Sequence, residues 1–157
     1  MIGLLGFIFV LSGCGKSDIG LTNGRFAQCP DSPNCVSSMA DDKKHFIEPI
    51  PYEGDRAGAR QTMLSVIQSM KRSRLISQSD TYIHAEFRSF LFRFVDDVEL
   101  FFPENTPVIH MKSASRTGYS DFGVNRKRLE EIRKKFQDQN LIAAKTARSA
   151  LDNAPSR

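Results

Sequence analysis

The chain has 157 residues, 22 basic and 18 acidic, for a formal net charge of +4. That length suits one domain with a real core and leaves little room for a second. The mildly basic balance favours an anionic lipid or an acidic partner, and the N-terminal sequence argues against nucleic acid, which an exported chain does not meet. Twelve Phe and no Trp point to a packed core and to nothing more specific.

An apolar run opens the chain and ends in Leu11-Ser12-Gly13-Cys14. An apolar residue, two small residues and a cysteine form the lipobox of a bacterial lipoprotein, in which the cysteine is acylated and becomes the new N-terminus. The first basic residue is Lys16, so only the α-amino group supplies the positive charge usual before the apolar run. Residues 2–12 are too few to cross a bilayer, which needs roughly 20 apolar residues. Residues 1–13 are therefore read as a signal peptide and Cys14 as the lipidation site. Gly15 follows the cysteine where Asp would favour inner-membrane retention. The expected location is the cell envelope, lipid-anchored, at the outer membrane facing the periplasm if the cell is Gram-negative.

Residues 14–25 read as a lipidated N-terminus and Gly-rich flexible tether. Cys29-Pro-Asp-Ser-Pro-Asn-Cys35 follows. In an oxidising compartment this even pair of cysteines predicts a disulfide, and two thiols without a nearby His make a poor zinc site. Residues 37–44 read as loop. Two prolines in residues 46–52 exclude a helix and a central strand there.

From Asp55, a plausible N-cap, to Arg72 the period is helical. Ala59, Met63, Val66, Ile67 and Met70 form one stripe. Strands are predicted around Leu75-Ile76, over 82–87, through the alternating Phe90, Phe92 and Phe94, over 98–102, and over 108–111, which make a meander of about four. A polar loop over 113–121 leads to a second helix near Asp121 or Phe122, with Leu129, Ile132 and Phe136 buried. The globular domain is placed at 26–137, and residues 138–157 form an Ala-rich tail that is either helical or frayed.

Complete catalytic signatures are missing. Gly15-Lys16-Ser17 lacks the glycine of a phosphate loop. Gly118-Tyr-Ser120 lacks the second glycine of a nucleophile elbow. His84-Ala-Glu86 is not followed by the paired cysteines of a zinc deaminase. His84 and His110 fall in strands, as structural histidines do. The basic residues over 126–135 alternate with Glu130 and Glu131 at i,i+4 spacing, the pattern of a solvated helix face. One cluster is harder to dismiss. Arg88, Ser89, Asp96, Asp97, Arg116, Asp121, Asn125 and Arg126 set polar groups among apolar strands or at a strand-to-helix loop. Charges in such places need partners. They read either as a polar ligand patch beside a helix N-terminus, suited to an anion, or as an ion-pair network fixing the sheet to the second helix. Adjacent Asp96 and Asp97 point to opposite faces of a strand, so only one can serve a given site.

Four segments together resemble the domain of unknown function 1499 family: residues 29–38, 82–89, 94–99 and 113–128. The resemblance covers about residues 26–136, and Lys112 departs from the Arg expected in many members. It implies exported or lipid-anchored bacterial proteins with relatives in plant plastids, and it brings no catalytic residues.

The fold class expected is α+β: a single domain with an antiparallel sheet of about four strands and two helices packed on one face, the other face wetter. The expected function is a membrane-anchored, non-catalytic binding or interaction domain, without metal or cofactor. Its partners would be the membrane through the lipid and an envelope protein or small anionic ligand. The alternative is an envelope enzyme using Asp96 or Asp97 beside Arg88 and Arg116.

Overall fold

The computed structural model describes residues 19–89 and 94–152; the signal segment, Cys14, residues 90–93 of the Phe alternation and the last five residues lie outside them. Strands β1 (Leu21–Thr22) and β2 (Arg25–Phe26) form a small hairpin. Asn23 and Gly24 turn it with positive φ of 53° and 73°, a conformation Asn and Gly adopt most easily. Of the stretch read as a tether, residues 19–25 are thus part of the fold. Gly20 N–H donates to Glu99 Oε2 at 2.6 Å, which pins the chain as it enters the domain.

Cys29 and Cys35 are bridged, with Cα atoms 5.6 Å apart. The bridge leads into β3 (Cys35–Ser37), and β4 (Ile50–Pro51) follows after a loop. Helix α1 (Arg56–Ser69) starts at Asp55, whose carboxylate accepts from Gly58 N–H at 2.7 Å, and buries Ala59, Met63, Val66 and Ile67 as the apolar stripe requires. Then come β5 (Ser73–Gln78), β6 (Tyr82–Arg88), β7 (Val95–Phe101) and β8 (Val108–Ser115). These four form the expected meander. The sheet is nonetheless six-stranded, in the order β3-β8-β7-β6-β5 with β4 also on β8, and all its paired strands run antiparallel. The expectation of about four strands fails on β3 and β4, which are only three and two residues long. Segments that short carry no readable period. Pro51 sits where a missing N–H is tolerated, at the sheet edge.

Helix α2 (Val124–Asp152) begins later than Asp121, because Phe122 and Gly123 have φ of 54° and 78°, outside the right-handed helical region. It then runs without a break from the globular part through residues 138–152, so this part of the tail is helical. Both helices pack on one face of the sheet. Ile83, Ala85, Phe87, Val98, Leu100, Ile109 and Met111 share one strand parity and join Met63, Ile67, Leu129, Ile132 and Phe136 in a single core.

The opposite face is not the wetter surface that alternation suggested. His84, Glu86, Asp97, Glu99 and Lys112 lie there and are all buried. The entering chain bonds Glu99 through Gly20, and Arg116 closes over Glu86 and Asp97. The domain therefore has an apolar layer on one side of its sheet and a charged layer on the other.

Candidate functional site

The pleat distributes the charges. On the face away from the helices, one row of strand neighbours reads Arg74, Glu86, Asp97, Ala114 and Cys35; the next reads Ser77, His84, Glu99, Lys112 and Ser37. Arg116 reaches back from the end of β8 over the first row. Its Nε and Nη2 donate to the two Asp97 oxygens at 2.8 Å each, and Nη2 also meets Glu86 Oε1 at 2.6 Å. Those two carboxylates hold the guanidinium proton well above its ordinary affinity, the Asp97 hydrogen bonds being the largest cause. His84 Nε2 lies 2.8 Å from Asp97 Oδ1. In the second row Lys112 Nζ stands 3.3 Å from Glu99 Oε1, and Tyr82 donates its hydroxyl to Glu99 Oε2 at 2.6 Å. Burial first, and then the Glu99 carboxylate, push the Tyr82 hydroxyl above its usual pKa.

Asp96 projects to the helix side, as strand alternation requires. There Arg128 donates to Asp96 at 2.6 Å, to Asn125 Oδ1 at 2.7 Å and to Ser113 Oγ at 3.1 Å, and its guanidinium lies over the Phe87 ring, 5.0 Å from the centroid. Asn125 is fully buried. Its Nδ2 donates to Asn34 O and Ser115 Oγ, and its Oδ1 accepts from Ser113. It thereby joins the Cys loop, β8 and α2. Among the described residues no buried side-chain nitrogen or oxygen lacks a partner.

The eight-residue patch is therefore not one pocket. Asp97 and Arg116 belong to the outer face; Asp96 and Asn125 belong to the helix side. Arg88 stands 3.9 Å from Glu86. Ser89 pairs with Phe94 across the β6–β7 connection, its hydroxyl accepting from Phe94 N–H at 2.9 Å. Asp121 caps α2, accepting from Gly123 and Asn125 N–H groups. Arg126 donates to Lys44 O at 3.0 Å and ties α2 to the loop before β4.

The patch omits Arg128, His84, Glu99 and Lys112. Strand parity offered a signal for two of them, since Glu99 shares the face of Asp97 and Lys112 is its neighbour on β8. Arg128 was hidden among the helix charges read as solvated. It is one-tenth exposed, and Arg133 likewise turns inward to the Glu48 and Pro49 carbonyls. Among the described residues no group of three or more His, Cys, Asp or Glu is placed to hold a metal ion.

A separate concavity of about 590 Å³ opens where the C-terminal end of α1, the end of β6 and the first turns of α2 meet. Of the predicted patch, Arg88 and Ser89 line it.

A family model described as Protein of unknown function (DUF1499) matches residues 25–136. That is most of the described domain, and the chain belongs to this family, in agreement with the resemblance seen in its motifs. No curated protein matches the chain.

Two outcomes follow from this geometry. Removing Arg128, nearly buried against Asp96, should lower unfolding stability by about 3–5 kcal/mol, because it strands a buried carboxylate. Arg116→Ala should be milder, about 1–2 kcal/mol, because Arg116 is 40% exposed and water can replace it in part. Urea unfolding of both variants checks this order; a reversed order would contradict the burial argument. The Tyr82 effect has a definite sign. A phenol with its folded pKa raised contributes stability that is complete below its unfolded pKa, about 10, and declines as pH rises beyond it. An ultraviolet difference titration against Tyr82→Phe should place this ionisation above about pH 10. A Tyr82 that titrates at or below that value would remove the bond to Glu99 from the account.

Proposed function

We propose that this member of the DUF1499 family is a lipid-anchored protein of the bacterial envelope whose folded domain binds a partner or ligand and performs no chemistry of its own. One observation carries the non-catalytic part. The carboxylates that an enzyme would use, Asp96 and Asp97, lie on opposite faces of β7, and each is engaged with an arginine. Asp97 has its side chain 1% exposed and Asp96 5%. A general acid or base must reach its substrate, and these two are closed off by their own cations.

The anchor rests on the lipobox at Cys14. The Cys29–Cys35 bridge supports an oxidising compartment. Ile19, the first described residue, lies five positions after Cys14, and that stretch of chain can span at most about 17 Å. An acylated Cys14 would hold the domain close to the bilayer. The chain enters over the charged face of the sheet, at Gly20 and Glu99.

Two measurements test the proposal. Cys14→Ser should abolish acylation and anchoring and leave an unprocessed or soluble form; membrane retention of a processed protein without an acyl chain would contradict the anchor. Asp97→Asn should rescue a deletion strain in proportion to how much folded protein accumulates. A fully folded Asp97→Asn protein that fails to complement would favour the enzymatic alternative.

A further inference from the structure

We propose that the groove between α1, β6 and α2 binds a ligand carrying a phosphate group. Among the described residues six cations line it: Lys71 and Arg72 from the α1–β5 turn, Arg88 from β6, and Lys127, Arg128 and Lys135 from α2. Glu131 is the one acidic residue among its lining. Arg128 is paired with Asp96, Arg88 with Glu86 and Lys135 with Glu131, so with these three carboxylates counted the groove still holds six cations to three anions. Like charges gathered there repel one another, and an anion relieves that repulsion.

The groove is also shaped for more than an inorganic ion. Its volume of about 590 Å³ falls in the range of small organic ligand sites. Phe87 and Met70 are buried along its wall, and Val124 is half open at its rim. They offer an apolar surface beside the cations. The floor is fixed before any ligand arrives, because Arg128 is already held by Asp96, Asn125 and Ser113. Arg72 Nε donates to Arg88 O at 3.1 Å, and Arg88 N–H returns a bond to Arg72 O, so the Arg72 side chain is held against the end of β6, while the Arg88 guanidinium stands by Glu86. The Arg72 and Arg128 guanidinium groups, with Lys71, Lys127 and Lys135 in the same lining, match a multiply charged, many-oxygened group better than a single carboxylate. A larger recess of about 690 Å³ at the middle of α2, between Pro51 and Leu141, has Glu53 and, among the described residues, no basic residue in its lining. It offers nothing to an anion.

The phosphate can come from a soluble ester or from a lipid headgroup, and the test separates them. This assignment rests on the reading of the domain as a binding module but not on the lipid anchor. The full chain carrying Cys14→Ser is titrated with glycerol 3-phosphate by calorimetry, and sedimented with vesicles of phosphatidylglycerol against vesicles of phosphatidylcholine. Two variants follow. Lys71→Ala with Lys127→Ala removes two charges from the groove; Lys43→Ala with Lys145→Ala removes two exposed charges elsewhere. At least one anionic probe should bind. The groove pair should weaken it by about tenfold or more, and the control pair by no more than about twofold. Binding of the soluble ester alone identifies a soluble ligand, and binding of phosphatidylglycerol vesicles alone identifies a headgroup. Failure of both probes, or equal weakening by the two pairs, would overturn the assignment. If that happens while folded Asp97→Asn still complements, the non-catalytic reading stands and only the groove falls.

Discussion

Four carboxylates are built into two neighbouring strands where water has little access to them: Glu86 on β6, and Asp96, Asp97 and Glu99 on β7. An unpaired charge in such a place would be too costly to keep, so each must meet a cation or take up a proton. Much of the remaining architecture follows from that demand. Lys112 arrives on β8 as the cross-strand neighbour of Glu99. Arg116 folds back from the end of the same strand. Arg128 reaches Asp96 only because α2 begins close above the sheet. The left-handed residues Phe122 and Gly123 turn the chain abruptly into that helix, and Asp121 caps it.

The charged layer also explains why the N-terminal segment belongs to the domain. A sheet with only one apolar face usually leaves its other face to solvent. Here Glu99 accepts from the backbone of Gly20, and Asn125 accepts and donates among three separate segments. Buried polar groups in a satisfied network specify one arrangement more sharply than apolar contacts do. The Cys29–Cys35 bridge shortens the loop that supplies Asn34 to this network, which links the disulfide to the position of α2 through the bond from Asn125 to Asn34 O.

What the sequence reveals follows the length of its periods. The stripe of α1, its Asp55 cap, the four-strand meander and the opposite orientation of Asp96 and Asp97 were all readable, because each rests on spacing within one element. The two short edge strands were not, since two or three residues hold no period. Nor was the pairing of the charges. Arg116 and Arg88 were natural candidates by proximity, whereas Arg128 lies 32 positions from Asp96 and is distinguished from its neighbours on α2 only by which side of the helix meets the sheet. The basic groove was equally hidden. Its cations come from three distant segments, and a chain with a net charge of only +4 gives no hint that they converge.

The central claim is that the buried carboxylates are structural and depend on their particular cations. A double-mutant cycle on Glu99 and Lys112 tests it most directly, because both side chains are at least 95% buried and stand 3.3 Å apart. Unfolding free energies are measured for Glu99→Gln, Lys112→Met and the double variant. The account predicts that the double variant loses less than the sum of the singles, by about 2 kcal/mol or more. Additivity to within about 0.5 kcal/mol would mean that the two charges do not depend on each other, and would contradict it.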